Sequence, residues 1–281
     1  QMEYVLNNEQ DEYYQARLEG IRFKSQLDYK QMIDAYIHHL SQQDLKFKTI
    51  SFRGETLISS IEIAEYFYSL DNRSPIQLRM QTVKDWLLQK LDQQEKLEYK
   101  KEWVEDELEL LDTDEYTETY LEIQAKDRLS EDTFNDFEHE KEELAKKLVR
   151  KYYNPIKKAI KNLKFIHVKA IYMNFFLNGY KYINDADYPK IWPRICDYTL
   201  DKCKQNQLAN EDATAYIYLK AQLEGRKTNN VIRHLFIDEA QDFGMSVYAS
   251  LAYCLRGCTY TIMGDVSQNI HHGYGLNDWE E

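Results

Sequence analysis

Two apolar runs near the end of the chain, each followed directly by polar residues, constrain the fold most strongly. The first run spans 231–237 and precedes segment 238–242, which holds three carboxylates and one amide. The second run spans 258–263 and precedes a polar loop that begins at Gly264. Runs rich in Val, Ile, Leu and Phe are typical of strands in a covered parallel sheet. Because an amphipathic stretch separates the runs, the sequence predicts a βαβ unit with both polar segments at one edge of the sheet.

The residue types at this edge suit a site for a magnesium nucleotide. In parallel α/β sheets, ligands bind just beyond the carboxyl ends of the strands. Phosphoryl transfer depends mainly on the placement of Mg²⁺, charge neutralisation and the orientation of the attacking water. Asp238 would hold Mg²⁺ through water, because this ion keeps most of its hydration shell, and Glu239 would polarise the attacking water. The alternative is a strand end whose acidic residues only cap the next helix.

Both polar segments resemble motifs of a known class of motor proteins. Segment 238–242, Asp-Glu-Ala-Gln-Asp, is similar to motif II (Walker B) of superfamily 1 helicases of the UvrD/Rep type. Segment 264–268, Gly-Asp-Val-Ser-Gln, is similar to motif III of the same helicases. Other parts of the chain resemble the HelD group, helicase-like factors that act on bacterial RNA polymerase; these parts are 22–28, 32–36, 54–59, 211–213 and 218–220.

The resemblance implies that the cofactors are ATP and Mg²⁺, and it assigns a role to each motif residue. Asp238 corresponds to the Mg²⁺ ligand and Glu239 to the catalytic base. Gln241 and Gln268 would sense the γ-phosphate and link hydrolysis to domain movement. The other residues implied in nucleotide binding are Asp242, Gly264 and Asp265.

Two parts of a complete ATP site are not found in the sequence. A P-loop uses a Gly-rich turn and Lys-Ser/Thr to cradle phosphates, and no G-x-x-x-x-G-K-[ST] pattern occurs in these residues. In the resembled superfamily that motif lies N-terminal to the segments above, and the arginines that complete the site come from a second motor domain. We therefore expect the chain to be a piece of a longer protein that does not hydrolyse ATP by itself.

Negative charge is concentrated in the middle of the chain. Residues 91–150 contain 21 Asp and Glu against 9 Lys and Arg, an excess equal to the net charge of −12 of the whole chain. No Lys or Arg lies between positions 101 and 126. Apolar residues at helical spacing over 76–111, and again from about 130 to 153, predict two long helices. We expect them to form an antiparallel arm whose tip lies near 112–128.

These observations together predict the fold class and the domains. The class is α/β: a partial RecA-like P-loop NTPase motor domain with parallel strands, interrupted by a mainly α-helical antiparallel arm. Residues 1–73 would be the first part of motor domain 1A, 74–165 the acidic arm, and 166–281 the second part of the domain with motifs II and III. A hairpin or two short strands over 47–58, and a capping box over 59–62 that opens a helix over 63–70, are predicted just before the arm.

The acidic arm points to a basic partner. A strongly negative surface repels nucleic-acid phosphates and is attracted to basic grooves. The HelD resemblance implies that residues 102–122 contact the DNA channel of RNA polymerase, with DNA bound mainly by parts of the parent protein outside this chain. In UvrD-type proteins motif III continues into an aromatic run, whereas here Ile270 is followed by His271-His272-Gly273, so base stacking by that element is not implied.

Three alternatives stay open for this chain. The acidic run is simply a solvated helix face, as most charge runs are. The chain is a fragment of an ordinary UvrD-like 3′-to-5′ DNA helicase in repair or replication. The chain is a non-catalytic adaptor that keeps the fold, although the intact Asp238-Glu239 pair is evidence against this alternative.

Composition adds an expectation about location. The sequence contains no signal peptide and no run of about 18 apolar residues, so we expect a cytoplasmic protein without membrane contact. Its four cysteines lack the paired C-x-x-C spacing of a zinc site, which favours reduced thiols.

Overall fold

The computed structural model of the protein describes residues 3–5, 14–110, 136–178, 181, 192–225, 231–255, 257–265 and 267. Most of these residues lie in helices. The helices are α1 (Tyr14–Ser25), α2 (Leu27–Leu40), α3 (Ser60–Ser69), α4 (Ile76–Glu98), α5 (Glu102–Glu109), α6 (Asp136–Lys161), α7 (Val168–Asn178), α8 (Trp192–Lys204), α9 (Asn210–Glu224) and α10 (Met245–Cys254). The strands are β1 (Glu3–Val5), β2 (Ile50–Phe52), β3 (Glu55–Ile58), β4 (Gln207–Ala209), β5 (His234–Ile237) and β6 (Thr259–Ile262).

The chain divides into two compact units. Unit 1 is formed by Gln1–Phe47, Ala64–Met80 and Ile166–Glu281, and unit 2 by Lys48–Ile63 and Gln81–Phe165. The predicted division into an arm over 74–165 and two parts of a motor domain over 1–73 and 166–281 stays a prediction.

The core of unit 1 is a cluster of aromatic side chains contributed by four helices. Phe23 of α1 meets Trp192 of α8 with ring centres 5.5 Å apart, and Trp192 stacks on Phe176 of α7 at 5.7 Å. Tyr29 of α2 contacts Phe175 of α7 edge to face at 5.9 Å. Rings of this size bury large apolar areas, so the cluster is a principal source of stability in this unit.

In the described part of unit 1, two pairs of strands run parallel. Strand β1 pairs with β4, and β5 pairs with β6 in the register His234 to Thr259 and Ile237 to Ile262. The prediction of a mixed α/β chain with parallel strands is therefore confirmed. Within the described residues the two pairs form separate sheets. A larger RecA-like sheet stays a prediction.

The predicted βαβ unit is present with slightly different bounds. Strand β5 begins at His234 rather than at Val231, which is 86% exposed. Helix α10 spans Met245–Cys254 and joins β6 through Gly257, whose φ of +74° is the left-handed conformation that glycine adopts without strain.

Unit 2 begins with the predicted hairpin. Strands β2 and β3 pair antiparallel, and the turn between them places Arg53 at φ 48° and Gly54 at φ 85°. Positive φ at both central residues is the requirement of a tight hairpin turn that matches the twist of the strands. The Glu62 N–H donates to Ser59 Oγ at 3.1 Å, so the predicted helix cap at Ser59 is confirmed, while α3 begins at Ser60 rather than at Ile63.

Helices α4 and α6 run antiparallel in unit 2. Lys157 of α6 pairs with Asp92 of α4 at 2.5 Å, and Tyr153, further back along α6, donates to Glu98 at the end of α4 at 3.2 Å. Helix α6 continues past Pro155 to Lys161. The predicted helix start near residue 130 and the predicted tip at 112–128 lie outside the described residues.

The prediction of one continuous helix over 76–111 is wrong. Helix α4 ends at Glu98, and α5 starts again at Glu102 after a short turn. The Glu98 carboxylate explains the break, because it accepts hydrogen bonds from Trp103 Nε1 at 2.9 Å and from Tyr153 and binds Lys101 at 3.1 Å. In a straight helix, residues five apart point in different directions, so Trp103 could not reach Glu98.

Two further observations concern the predicted location and the thiols. None of the helices in the described part of the chain has both the length and the apolar character needed to cross a membrane. All four cysteines are free thiols, with Cys196 and Cys203 buried and Cys254 and Cys258 half-buried. Burial raises the pKa of both Cys196 and Cys203 to about 12, which makes these two thiols unreactive.

Candidate functional site

The carboxylate-rich segment follows β5 at the edge of the sheet where β6 also ends. Beyond the paired strands, the Met263 N–H donates to Ile237 O at 2.8 Å, and the Ala240 N–H donates to Met263 O at 2.9 Å. These backbone bonds hold the segment after β5 beside the segment after β6. The structure therefore brings the two resembled motifs together, as parallel pairing requires.

The chain turns sharply directly after β5. Glu239 has a φ of 49° in the left-handed region, and its N–H donates to Asp238 Oδ1 at 2.9 Å. A one-turn 3₁₀ helix follows over Ala240–Asp242. A non-glycine residue in this conformation costs of order 1 kcal/mol, which the surrounding contacts must offset. The turn leaves Asp238, Glu239 and Asp242 exposed while it buries Gln241.

Gln241 connects the two polar segments through its side chain. The side chain amide donates from Nε2 to Glu239 Oε2 at 2.7 Å, and its Oε1 accepts from the Asp265 N–H at 3.0 Å. Gln241 is only 2% exposed. The amide orientation is fixed, because the flipped form would set oxygen against the carboxylate and N–H against N–H. One buried side chain thus orients the Glu239 carboxylate and anchors the loop after β6.

Gly264 allows the loop after β6 to reach Gln241. A Cβ at position 264 would lie 2.2 Å from Gln241 Oε1 and 2.9 Å from the Ala240 nitrogen. Distances this short do not occur for real Cβ atoms, so only glycine permits this approach of the two segments. Glycine is required at position 264 because a Cβ there would clash with Gln241 and Ala240, and not because the backbone has a positive φ.

The turn is also held from its other side. Tyr248 of α10 donates its hydroxyl to Ala240 O at 2.5 Å, and burial raises the pKa of this phenol. Gly244, which caps α10, packs against Ser25 at the end of α1. Neither contact was anticipated from the sequence. For the contact between Gly244 and Ser25, the sequence offered only the glycine that follows Asp242-Phe243. Ser25 lies more than 200 positions away, so the sequence does not indicate that the two residues meet.

The exposed oxygens of this segment suit a hydrated Mg²⁺ ion. Carboxylates are hard ligands of the kind that Mg²⁺ prefers, and the ion needs only one or two of them. Asp238 and Glu239 supply such oxygens at the end of β5. Among the described residues, no group of three or more His, Cys, Asp or Glu side chains is placed to hold a metal.

The remaining predicted residues have different positions. Asp265 contributes its backbone N–H to Gln241, while its carboxylate accepts from the Ser267 N–H at 2.9 Å within its own loop. Asp242 is exposed at the end of the 3₁₀ turn. Gln268 lies outside the described residues. The structure therefore joins Glu239, Gln241, Gly264 and Asp265 directly.

Comparison of the chain with protein-family models finds no match, and comparison with curated proteins finds no relative. The assignment to superfamily 1 helicases therefore depends on motifs II and III and stays a proposal.

Proposed function

We propose that this chain carries the Mg²⁺-binding and water-activating half of an ATP-hydrolysis site in a superfamily 1 motor of the UvrD/Rep type. The observation that carries the proposal is the Gln241 side chain, which bonds the Glu239 carboxylate and the Asp265 backbone at once. A strand end that only capped the next helix would not need a buried amide between two loops. Helix α10 is capped instead at Gly244, without a side-chain hydrogen bond.

Each residue then has a distinct role. Asp238 would hold Mg²⁺ through water, and the ion when bound would neutralise the phosphate charge of ATP. Glu239 accepts a proton from the attacking water, and the hydrogen bond from Gln241 Nε2 holds its carboxylate in one orientation. Gln241 would report the state of the γ-phosphate to the loop after β6, because its other end bonds that loop.

The other half of the site would lie outside these residues. The sequence contains no Gly-rich phosphate-binding turn, and the arginines of the resembled superfamily belong to a second motor domain. We propose that a longer protein supplies both.

The test of this proposal is Glu239→Gln in the longer protein. We expect ATP turnover to fall by at least about 100-fold, because the amide cannot accept the proton, while ATP binding stays within a few-fold. Gly20→Ala in α1 is the control, since a Cβ there would make only ordinary contacts at 3.5 Å from Ile195. Unchanged turnover in Glu239→Gln would refute the proposed role.

The partner is proposed to be RNA polymerase. Helix α5 presents exposed carboxylates to solvent, and they are Glu102, Glu105, Asp106 and Glu109. A negative helix of this kind suits a basic channel that otherwise binds DNA. The ATPase activity of the longer protein should therefore rise with RNA polymerase. Stimulation by single-stranded DNA alone would favour an ordinary UvrD-like helicase, and no activity under either condition would favour an adaptor.

A further inference from the structure

A buried ion pair lies in unit 1 outside the carboxylate segment. The Lys24 ammonium is 2.6 Å from Asp212 Oδ1 and donates to Thr199 Oγ1 at 2.8 Å. Tyr172 donates its hydroxyl to the same Asp212 oxygen at 2.6 Å, and the ammonium lies 5.2 Å from the centre of the Phe176 ring. The side chains of the pair are 2% and 1% exposed. The pair therefore fixes the end of α1 against α7, α8 and α9.

Ser25, next to Lys24, connects this pair to the carboxylate segment. Ser25 is the last residue of α1, is 8% exposed and donates its hydroxyl to Arg22 O at 2.8 Å. A Cβ at Gly244 would lie 2.8 Å from Ser25 Cα and 2.9 Å from Ser25 Cβ. The backbone at Gly244 therefore rests directly on the residue that Lys24 holds in place.

Gly244 in turn lies two residues after the 3₁₀ turn that carries the site. That turn begins at Ala240 and contains Gln241, whose amide orients Glu239. A shift of Ser25 toward Gly244 would push the backbone there and thereby move the turn, because the two residues are in close contact.

We propose that Lys24, Asp212 and Thr199 are positioning residues that hold the Glu239 carboxylate in place through Ser25 and Gly244. The inference rests on the proposed function, since it deepens the role of Glu239. Buried ion pairs add little net stability, because the cost of desolvating both charges offsets their attraction. The role of this pair is therefore to fix the end of α1, since the pair adds little to the free energy of unfolding.

Hydrogen exchange on this chain tests the positioning directly. Thr199→Val keeps the side chain shape but removes one acceptor of Lys24, so the ion pair with Asp212 remains and the unit stays folded. We expect the Glu239 and Asp265 amides to exchange about tenfold faster, with the amides of α2 unchanged. Thr199→Ser, which keeps the hydroxyl, should exchange like the original chain. Unchanged exchange at both amides, or equal acceleration throughout unit 1, would overturn the proposal.

Turnover in the longer protein provides a second readout. Thr199→Val should lower kcat about tenfold and leave the KM for ATP within about twofold, because the residue acts on geometry and not on nucleotide binding. Lys30→Met is the matched control, since it removes a partly exposed ion pair with Asp34 in the same unit. A kcat equal to that of the control would overturn the positioning role. If the unmodified longer protein lacks ATPase activity, the proposed function fails, and the exchange result alone decides whether the pair positions the turn.

Discussion

Gln241 has the lowest exposure of the polar side chains in the candidate site, and both ends of its amide are hydrogen-bonded. An amide with these two bonds cannot be replaced by a side chain that only donates or only accepts. The bonds also require the loop after β6 to lie against the turn after β5. The geometry of Gln241 therefore depends on the absence of a side chain at Gly264.

Gly264→Ala tests that dependence on close approach. The new methyl group would lie 2.2 Å from Gln241 Oε1, so the loop must move and the bond to the Asp265 N–H must break. We expect the free energy of unfolding to fall by about 1–3 kcal/mol, measured by urea denaturation. Gly20→Ala, in a helix with ordinary contact distances, should change it by no more than about 1 kcal/mol. Equal stability of the two variants would contradict the close approach.

Part of this site could be predicted from sequence because strand ends and acidic residues are local signals. The apolar run that precedes Asp238 predicts where β5 ends, and parallel pairing predicts that Asp265 comes near. The Gln241 bridge was not predicted, because it depends on atomic positions in two loops. The bond between Lys24 and Thr199 was beyond sequence reasoning, since these residues are 175 positions apart.

At the scale of secondary-structure elements, the periodicity of apolar residues predicted the helices but not the points at which they are interrupted. Helix α2 buries Met32, Ile33, Tyr36 and Leu40 at the spacing of one face, which a sequence shows directly. Strands β1 and β4 have only three residues each, too few for a pattern to be recognised. The break between α4 and α5 depends on tertiary bonds to Glu98, so the apolar pattern continued across it.

Glu98→Leu tests whether that carboxylate fixes the break. Glu98 is 4% exposed, and its removal leaves Trp103 Nε1 and the Tyr153 hydroxyl without their acceptor. We expect the unfolding free energy of unit 2 to fall by about 2–4 kcal/mol, followed by hydrogen exchange of α4 and α6 in urea. In the control Glu143→Leu, a surface pair with Lys146 is lost, which should cost no more than about 1 kcal/mol. Equal losses in the two variants would contradict the role of Glu98.

At the scale of the whole molecule, the net charge of −12 is distributed unevenly. Several carboxylates of unit 2 are used internally. The hydrogen bond from Arg53 lowers the pKa of Glu107, and Tyr152 donates to the same carboxylate at 3.1 Å. Asp106 and Glu109 on α5 are exposed instead. Within the part of unit 2 that the structure describes, the acidic surface that a partner would meet is therefore smaller than the number of acidic residues suggests.

Reversal of two of these charges tests the proposed contact with RNA polymerase. We expect Asp106→Lys/Glu109→Lys to weaken binding about tenfold at low salt and less at physiological ionic strength, where screening acts beyond about 8 Å. The control Glu19→Lys/Glu65→Lys changes the net charge by the same amount at exposed positions in unit 1. Equal weakening in the two double variants, measured by titration against polymerase, would show that only total charge matters. Unchanged binding in the α5 variant would refute the contact and leave a solvated helix face as the explanation.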